Sequence, residues 1–171
     1  TYNDDIIFFM LNPAIKKSIR TGFGFGITSG VITTLGLMIG LNTSTQLKTV
    51  VIGGILTIAV ADAFSDALGI HISEESKGTH SVKEIWLATL ATFFAKFIFG
   101  LSFIFPVVFF PLNQAVIVSI ILGLSYLMIF SYYLAKKQKE KALPIIIEHL
   151  VVATFVIIIS HLIGDWIKKL F

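Results

Sequence analysis

The stretch TVVIGGILTIAVADAFSDALGIHI, Thr49–Ile72, decides how this chain folds. About 20 apolar residues in a helix rising 1.5 Å per residue cross the roughly 30 Å hydrocarbon core of a bilayer. Thr49–Ile72 is long enough to do so. It carries no period-two alternation, so it does not read as a barrel strand. Its only acidic residues, Asp62 and Asp66, lie four apart in its inner half and therefore share one helix face. Two carboxylates in a segment that excludes water need a physical explanation.

Four further runs of the same kind surround this one, at about Gly22–Leu41, Ile85–Phe110, Ala115–Ala135 and Ile145–Ile167. Of the 171 residues 56% are hydrophobic and only 13% charged, where a soluble domain has about 25% charged. Mean hydropathy is +0.91. Within a bilayer the backbone must satisfy its own hydrogen bonds, which leaves helices for segments like these. The expectation is an all-α polytopic membrane protein. Residues 1–171 form one transmembrane domain with five spans at about 22–41, 49–72, 85–110, 115–135 and 145–167. Asn12-Pro13 reads as N-cap and first helical residue, opening a short interfacial helix over 13–20 that carries Lys16, Lys17 and Arg20. The apolar stretch Ile6–Leu11 is too short for a signal-peptide core.

Basic residues set the orientation. With the N-terminus cytoplasmic, the inner loops hold Lys16, Lys17, Arg20, Lys77, Lys83, Lys136, Lys137, Lys139 and Lys141, and the outer side holds Lys48, Lys168 and Lys169. This is a clear positive-inside bias. The net charge of +3 thus orients the chain and gives no reason to expect nucleic acid. With no cysteine, disulfides and thiolate metal sites are excluded. No phosphate loop, nucleophile elbow or HExxH site is present, so an enzyme is not expected.

The first span has Gly22, Gly26, Gly30, Gly36 and Gly40 within an arc of about 120°, at roughly 100° per residue. Ser29 and Thr33 fall on the same face. A row of small residues lets another backbone approach closely, as ordinary helix packing or as the seam of a symmetric dimer. At 1.5 Å per residue Asp62 lies roughly 15 Å and Asp66 roughly 9 Å from the inner end of their span. Ser29 and Lys96, the one charge inside the third span, fall at similar depths. A charge there costs about 2.5–3.5 kcal/mol on insertion scales. A proton, a cation or Lys96 must offset it. Pairing of Lys96 with Asp62 favours structural glue; two free carboxylates facing a cavity favour a cation site. Glu74 and Glu75, with His71 and His80, read either as a cation-gathering inner mouth or as a solvated helix end. His71 faces away from Asp62. Glu148, His149, His161 and Asp165 read as helix-end or surface groups.

The residues also carry a resemblance. GITSGVITTLGLMIGL (Gly26–Leu41) resembles the first-span signature of the vacuolar iron transporter family, which includes the nodulin-like proteins. GGILTIAVADAFS (Gly53–Ser65) is similar to the family's second-span pattern, and FGLSFIFPVVFF (Phe99–Phe110) to its Gly- and Pro-containing third span. The basic break KKQKEK and the last helix ending HLIGDW also fit. Asp62 matches the acidic second-span position of many prokaryotic members. Ser29 stands where the family has an aspartate, and Ile58 where it has a methionine. The cytoplasmic metal-gathering domain of eukaryotic members has no counterpart in the loop Ser73–Glu84. The resemblance implies an integral membrane homodimer, in the plasma membrane if the host is prokaryotic, with its seam at the glycine face. It implies exchange of a divalent metal, Fe²⁺ or Mn²⁺, for protons, with no permanently bound cofactor. On this reading the metal set is Asp62, Asp66, Ser29, Glu74 and Glu75, with oxygen-only ligands favouring harder ions. A carrier of another cation or small solute, and a non-transporting membrane protein, are the alternatives.

Overall fold

Polar and proline-containing punctuation divides the chain into helices, and the computed structural model describes residues 12–171. The stretch Ile6–Leu11 lies outside the described residues. Helix α1 spans Pro13–Thr45, α2 Lys48–Ser76, α3 Val82–Ser102, α4 Ile104–Phe109, α5 Leu112–Gln138 and α6 Ala142–Leu170. With α3 and α4 taken together as one span, five helices are long and apolar enough to cross a membrane. Among the described residues there is no strand.

Asn12 caps α1 by accepting from Ala14 N–H at 2.9 Å, with Pro13 at the first helical position. The separate interfacial helix over 13–20 is absent. Nothing near Arg20 and Thr21 interrupts the i→i−4 ladder, so the basic turn and the first span form one helix of 33 residues. At 1.5 Å per residue it is roughly 50 Å long, which exceeds the hydrocarbon thickness and carries the basic turn beyond it. The third span does break, between Ser102 and Ile104. Pro106 has no N–H to give to Ser102 C=O, and Phe103 N–H turns back to Gly100 C=O at 3.3 Å. Helix α3 opens on a capping box in which Ser81 N–H donates to Glu84 Oε2 at 2.7 Å and Glu84 N–H to Ser81 Oγ at 3.4 Å.

Helix α1 is the centre of the bundle and packs on α2, α3, α5 and α6. Val31, Leu35 and Met38 of α1 join Val51 and Ile55 of α2, Phe103, Val107 of α4 and Leu127 of α5 in the buried core. Helix α6 lies at the edge and buries only Ala153 and Gly164. Its many exposed Ile, Val and Leu side chains suit a lipid-facing surface, because hydrocarbon surrounds such groups at no cost.

The glycine row of α1 is filled by the same chain. A Cβ on Gly22 would sit 2.0 Å from Ala88 O, one on Gly26 2.6 Å from Thr92 O, and one on Gly30 3.1 Å from Lys96 Cα. Thr92 Oγ1 lies 3.1 Å from Gly22 O across this contact. Gly36 and Gly40 face α6, where a Cβ on Gly164 would meet Gly40 O at 2.7 Å. At Gly22, Gly26 and Gly30 the close approach that small residues allow is therefore taken by α3 of the same chain. Thr33, Gly36 and Gly40, towards α6, also border an open groove of about 610 Å³.

Candidate functional site

The tight α1–α3 contact brings Lys96 into the middle of the bundle. Gly30 lets the Lys96 backbone press against α1, and the side chain, 2% exposed, crosses towards α2. There Asp62 and Asp66 project from adjacent turns of one α2 face, as their i, i+4 spacing requires. The ammonium lies 2.6 Å from Asp62 Oδ2 and is also paired with Asp66 Oδ2. Its third contact is Ser29 Oγ at 2.8 Å. Ser29 in turn donates to Asp66 Oδ2 at 2.6 Å. The ammonium donates to Ser29 and to Asp66, while its contact with Asp62 Oδ2 is an ion pair without hydrogen-bond geometry. Neither aspartate is free, because one cation serves both.

Charge counting shows what this arrangement lacks. With all three groups ionised the cluster carries one excess negative charge, in a place where an uncompensated charge is costly. One added proton or monovalent cation makes it neutral. Asp62 and Asp66 are 26% and 21% exposed, so the carboxylate side of the cluster is reachable while the ammonium is not. Asp62 and Ser65 lie on the wall of an open cavity of about 680 Å³ between α1 and α2, whose lining also includes Leu37, Leu41, Val50, Gly54 and Thr57. The cavity extends from Asp62 towards the Thr45–Lys48 turn, at the end opposite the basic loops.

The sequence-predicted set thus splits. Asp62, Asp66 and Ser29 come together around Lys96. Glu74 does not join them. Two turns further along α2, it is buried at 3% exposure and takes Lys77 Nζ at 2.5 Å on one oxygen and His80 Nδ1 at 2.6 Å on the other. It is neither a solvated helix end nor part of the aspartate site. The short loop after Ser76 folds Lys77 and His80 over the carboxylate. Glu75, one residue on, points outward and is exposed. Among the described residues no three His, Cys, Asp or Glu side chains stand close enough to hold a metal ion. Any metal at Asp62 and Asp66 would have to complete its shell from hydroxyl, carbonyl or water oxygens and move Lys96 aside.

The remaining polar groups have local partners. His71, on the far side of α2 from Asp62, lies 3.0 Å from Thr89 Oγ1 and edge-on to Trp86. His161 lies 3.0 Å from Thr43 Oγ1, and Asp165 pairs with Lys169 at 2.7 Å. His149 was read as a surface group, yet it lies 2.7 Å from the fully buried Ser131 Oγ. Serine and histidine 18 positions apart on two helices give no sequence signal until the crossing of those helices is known.

No protein-family model matches the chain, and no curated protein matches it.

Proposed function

We propose that this integral membrane protein is a proton-coupled cation carrier, and that Asp62, Asp66, Lys96 and Ser29 are its ion-handling site. The observation that carries the reading is the sharing of one buried ammonium by two partly exposed carboxylates beside an open cavity. By charge alone such a cluster is neutral with one proton or one monovalent cation more, and a divalent cation exceeds that by one charge while Lys96 stays protonated. Lys96 acts as the resident counter-ion, held by the two aspartates when cargo is absent and displaced from them when a cation enters. For a divalent cargo the charges balance when two protons leave, one from the carboxylate pair and one from Lys96 as it is displaced, and cargo departure takes both up again. The resemblance to the vacuolar iron transporter family supports Fe²⁺ or Mn²⁺ as the cargo. It also implies a homodimer, whose seam would have to lie away from Gly22, Gly26 and Gly30, which α3 of the same chain covers.

A second reading has its own observation. Lys96 is paired with Asp62 and Asp66 and donates to Ser29, and this pairing favours a fixed interhelical lock between α1, α2 and α3. The two readings separate in proteoliposomes holding an internal pH dye and offered Fe²⁺ or Mn²⁺. Asp62→Asn keeps shape and removes charge, and should abolish metal-coupled proton movement. Asp66→Asn should weaken it, by less if Asp66 chiefly holds the proton. Wild-type fluxes from both variants would leave the cluster a lock and remove the carrier reading.

A further inference from the structure

A cavity of about 370 Å³ opens between α1, α5 and α6 at the end of the bundle that carries most of the basic residues. Its polar wall is Lys17, Arg20, Gln138 and His149, and its apolar wall is Phe25, Phe130 and Leu134. Lys17 and Arg20 are exposed one turn apart on α1, and neither has an acidic partner among the described residues. Glu148, next to His149 in sequence, is exposed and is not on the cavity wall.

Hydrogen-bond counting assigns the histidine. Ser131 Oγ is 2.5 Å from Leu127 O and 2.7 Å from His149 Nδ1. A carbonyl only accepts, so the single hydroxyl hydrogen goes to Leu127, and Ser131 must accept from His149 Nδ1–H. The ring is thereby oriented by a buried group, with Nε2 left unengaged on the cavity wall. Two cations without an acidic partner among the described residues, an amide and an oriented imidazole line one polar pocket backed by apolar side chains.

We infer that this cavity binds the phosphate headgroup of an anionic phospholipid. Basic pockets between membrane helices on the side read as cytoplasmic are suited to such headgroups. The two faces of the cavity match the two parts of a lipid: phosphate oxygens against the donors of Lys17, Arg20 and Gln138, with His149 Nε2 an acceptor for a headgroup hydroxyl, and the start of an acyl chain against Phe25 and Leu134. A soluble phosphate would use the first face only. Arginine supplies paired donors to phosphate oxygens, and lysine a point charge.

The test titrates detergent-solubilised protein with phosphatidylglycerol, phosphatidylcholine or inorganic phosphate. Bound lipid is counted by native mass spectrometry and the unfolding midpoint is followed. Phosphatidylglycerol should bind and raise the midpoint, while phosphatidylcholine and inorganic phosphate should not. Charge near a membrane surface is worth about fivefold in affinity per basic residue. The Lys17→Gln, Arg20→Gln pair should therefore weaken phosphatidylglycerol binding by roughly 25-fold, with the lipid-free midpoint unchanged because both side chains are exposed. Lys136→Gln with Lys137→Gln is the control. Those ammonium groups sit over the Tyr132 and Tyr133 rings, 5.6 and 5.7 Å from the centroids, and not on the cavity wall. Equal weakening by the two pairs would reduce the effect to general surface charge and overturn the site. Stabilisation by inorganic phosphate to the same extent as by lipid would overturn the lipid assignment.

Discussion

Lys96 is ion-paired with Asp62 and Asp66 and donates to Ser29, and this sets the cost of changing any of them. Removing one partner of a buried ion pair leaves the other uncompensated, at about 3–5 kcal/mol. Lys96→Met strands two carboxylates at once and should sit at the upper end of that range. Adding Asp62→Asn and Asp66→Asn to it removes the stranded charge and should recover most of the loss. The measurement is unfolding in a fixed lipid–detergent mixture, with each single variant run alongside. A triple variant equal to the sum of the singles would mean that the three charges do not interact. The depth of all three residues was legible from helix rise alone. That a single ammonium reaches both aspartates was not, because it depends on how far α3 lies from α2 and on the rotation of each.

At the scale of the helix the decisive contact is the glycine row of α1. A methyl on Gly22 would fall 2.0 Å from a backbone oxygen of α3 that no rotamer change can move aside. Gly22→Ala should cost about 1–3 kcal/mol through forced separation of the helices, and should loosen Lys96 from Asp62 by moving α3 outward. Gly53 and Gly69 of α2 have nothing within 4 Å of where a Cβ would stand. Alanine at either should instead stabilise the helix by about 0.5–1 kcal/mol, the ordinary gain over glycine in a helix interior. Comparing the three unfolding midpoints tests the assignment, and a neutral Gly22→Ala would place the α1–α3 contact elsewhere. The spacing of the row announced close packing. It did not say against what, since a small-residue face reads the same whether its partner is in the same chain or another.

For the whole molecule, the distribution of lysine and arginine fixes an expected orientation that the packing of helices leaves open. The bundle would fold identically either way up. The absence of cysteine makes the test direct, because a single introduced cysteine is labelled without background. Lys83→Cys, at the start of α3, should react with an impermeant maleimide only after cells are opened. Thr45→Cys, at the far end of α1, should react in intact cells. The reverse pattern would invert the chain and place the phosphate-binding cavity on the outer side. Helix α6, buried only at Ala153 and Gly164, is the element with the most surface left for lipid.

The sequence by itself determined the class and the count of spans. A bilayer imposes length, apolarity and internal hydrogen bonding on each segment separately, so Thr49–Ile72 could be read without its neighbours. It also placed Asp62, Asp66, Ser29 and Lys96 in one layer, because depth along a helix is linear in residue number. Only the tertiary structure decided who faces whom. It gave the glycine face of α1 to α3 and α6, closed Lys77 and His80 over Glu74, held Ser131 against His149, and joined both aspartates to one lysine. Each of these depends on the rotation and separation of two helices, and the periodicity of a single helix carries no information about either.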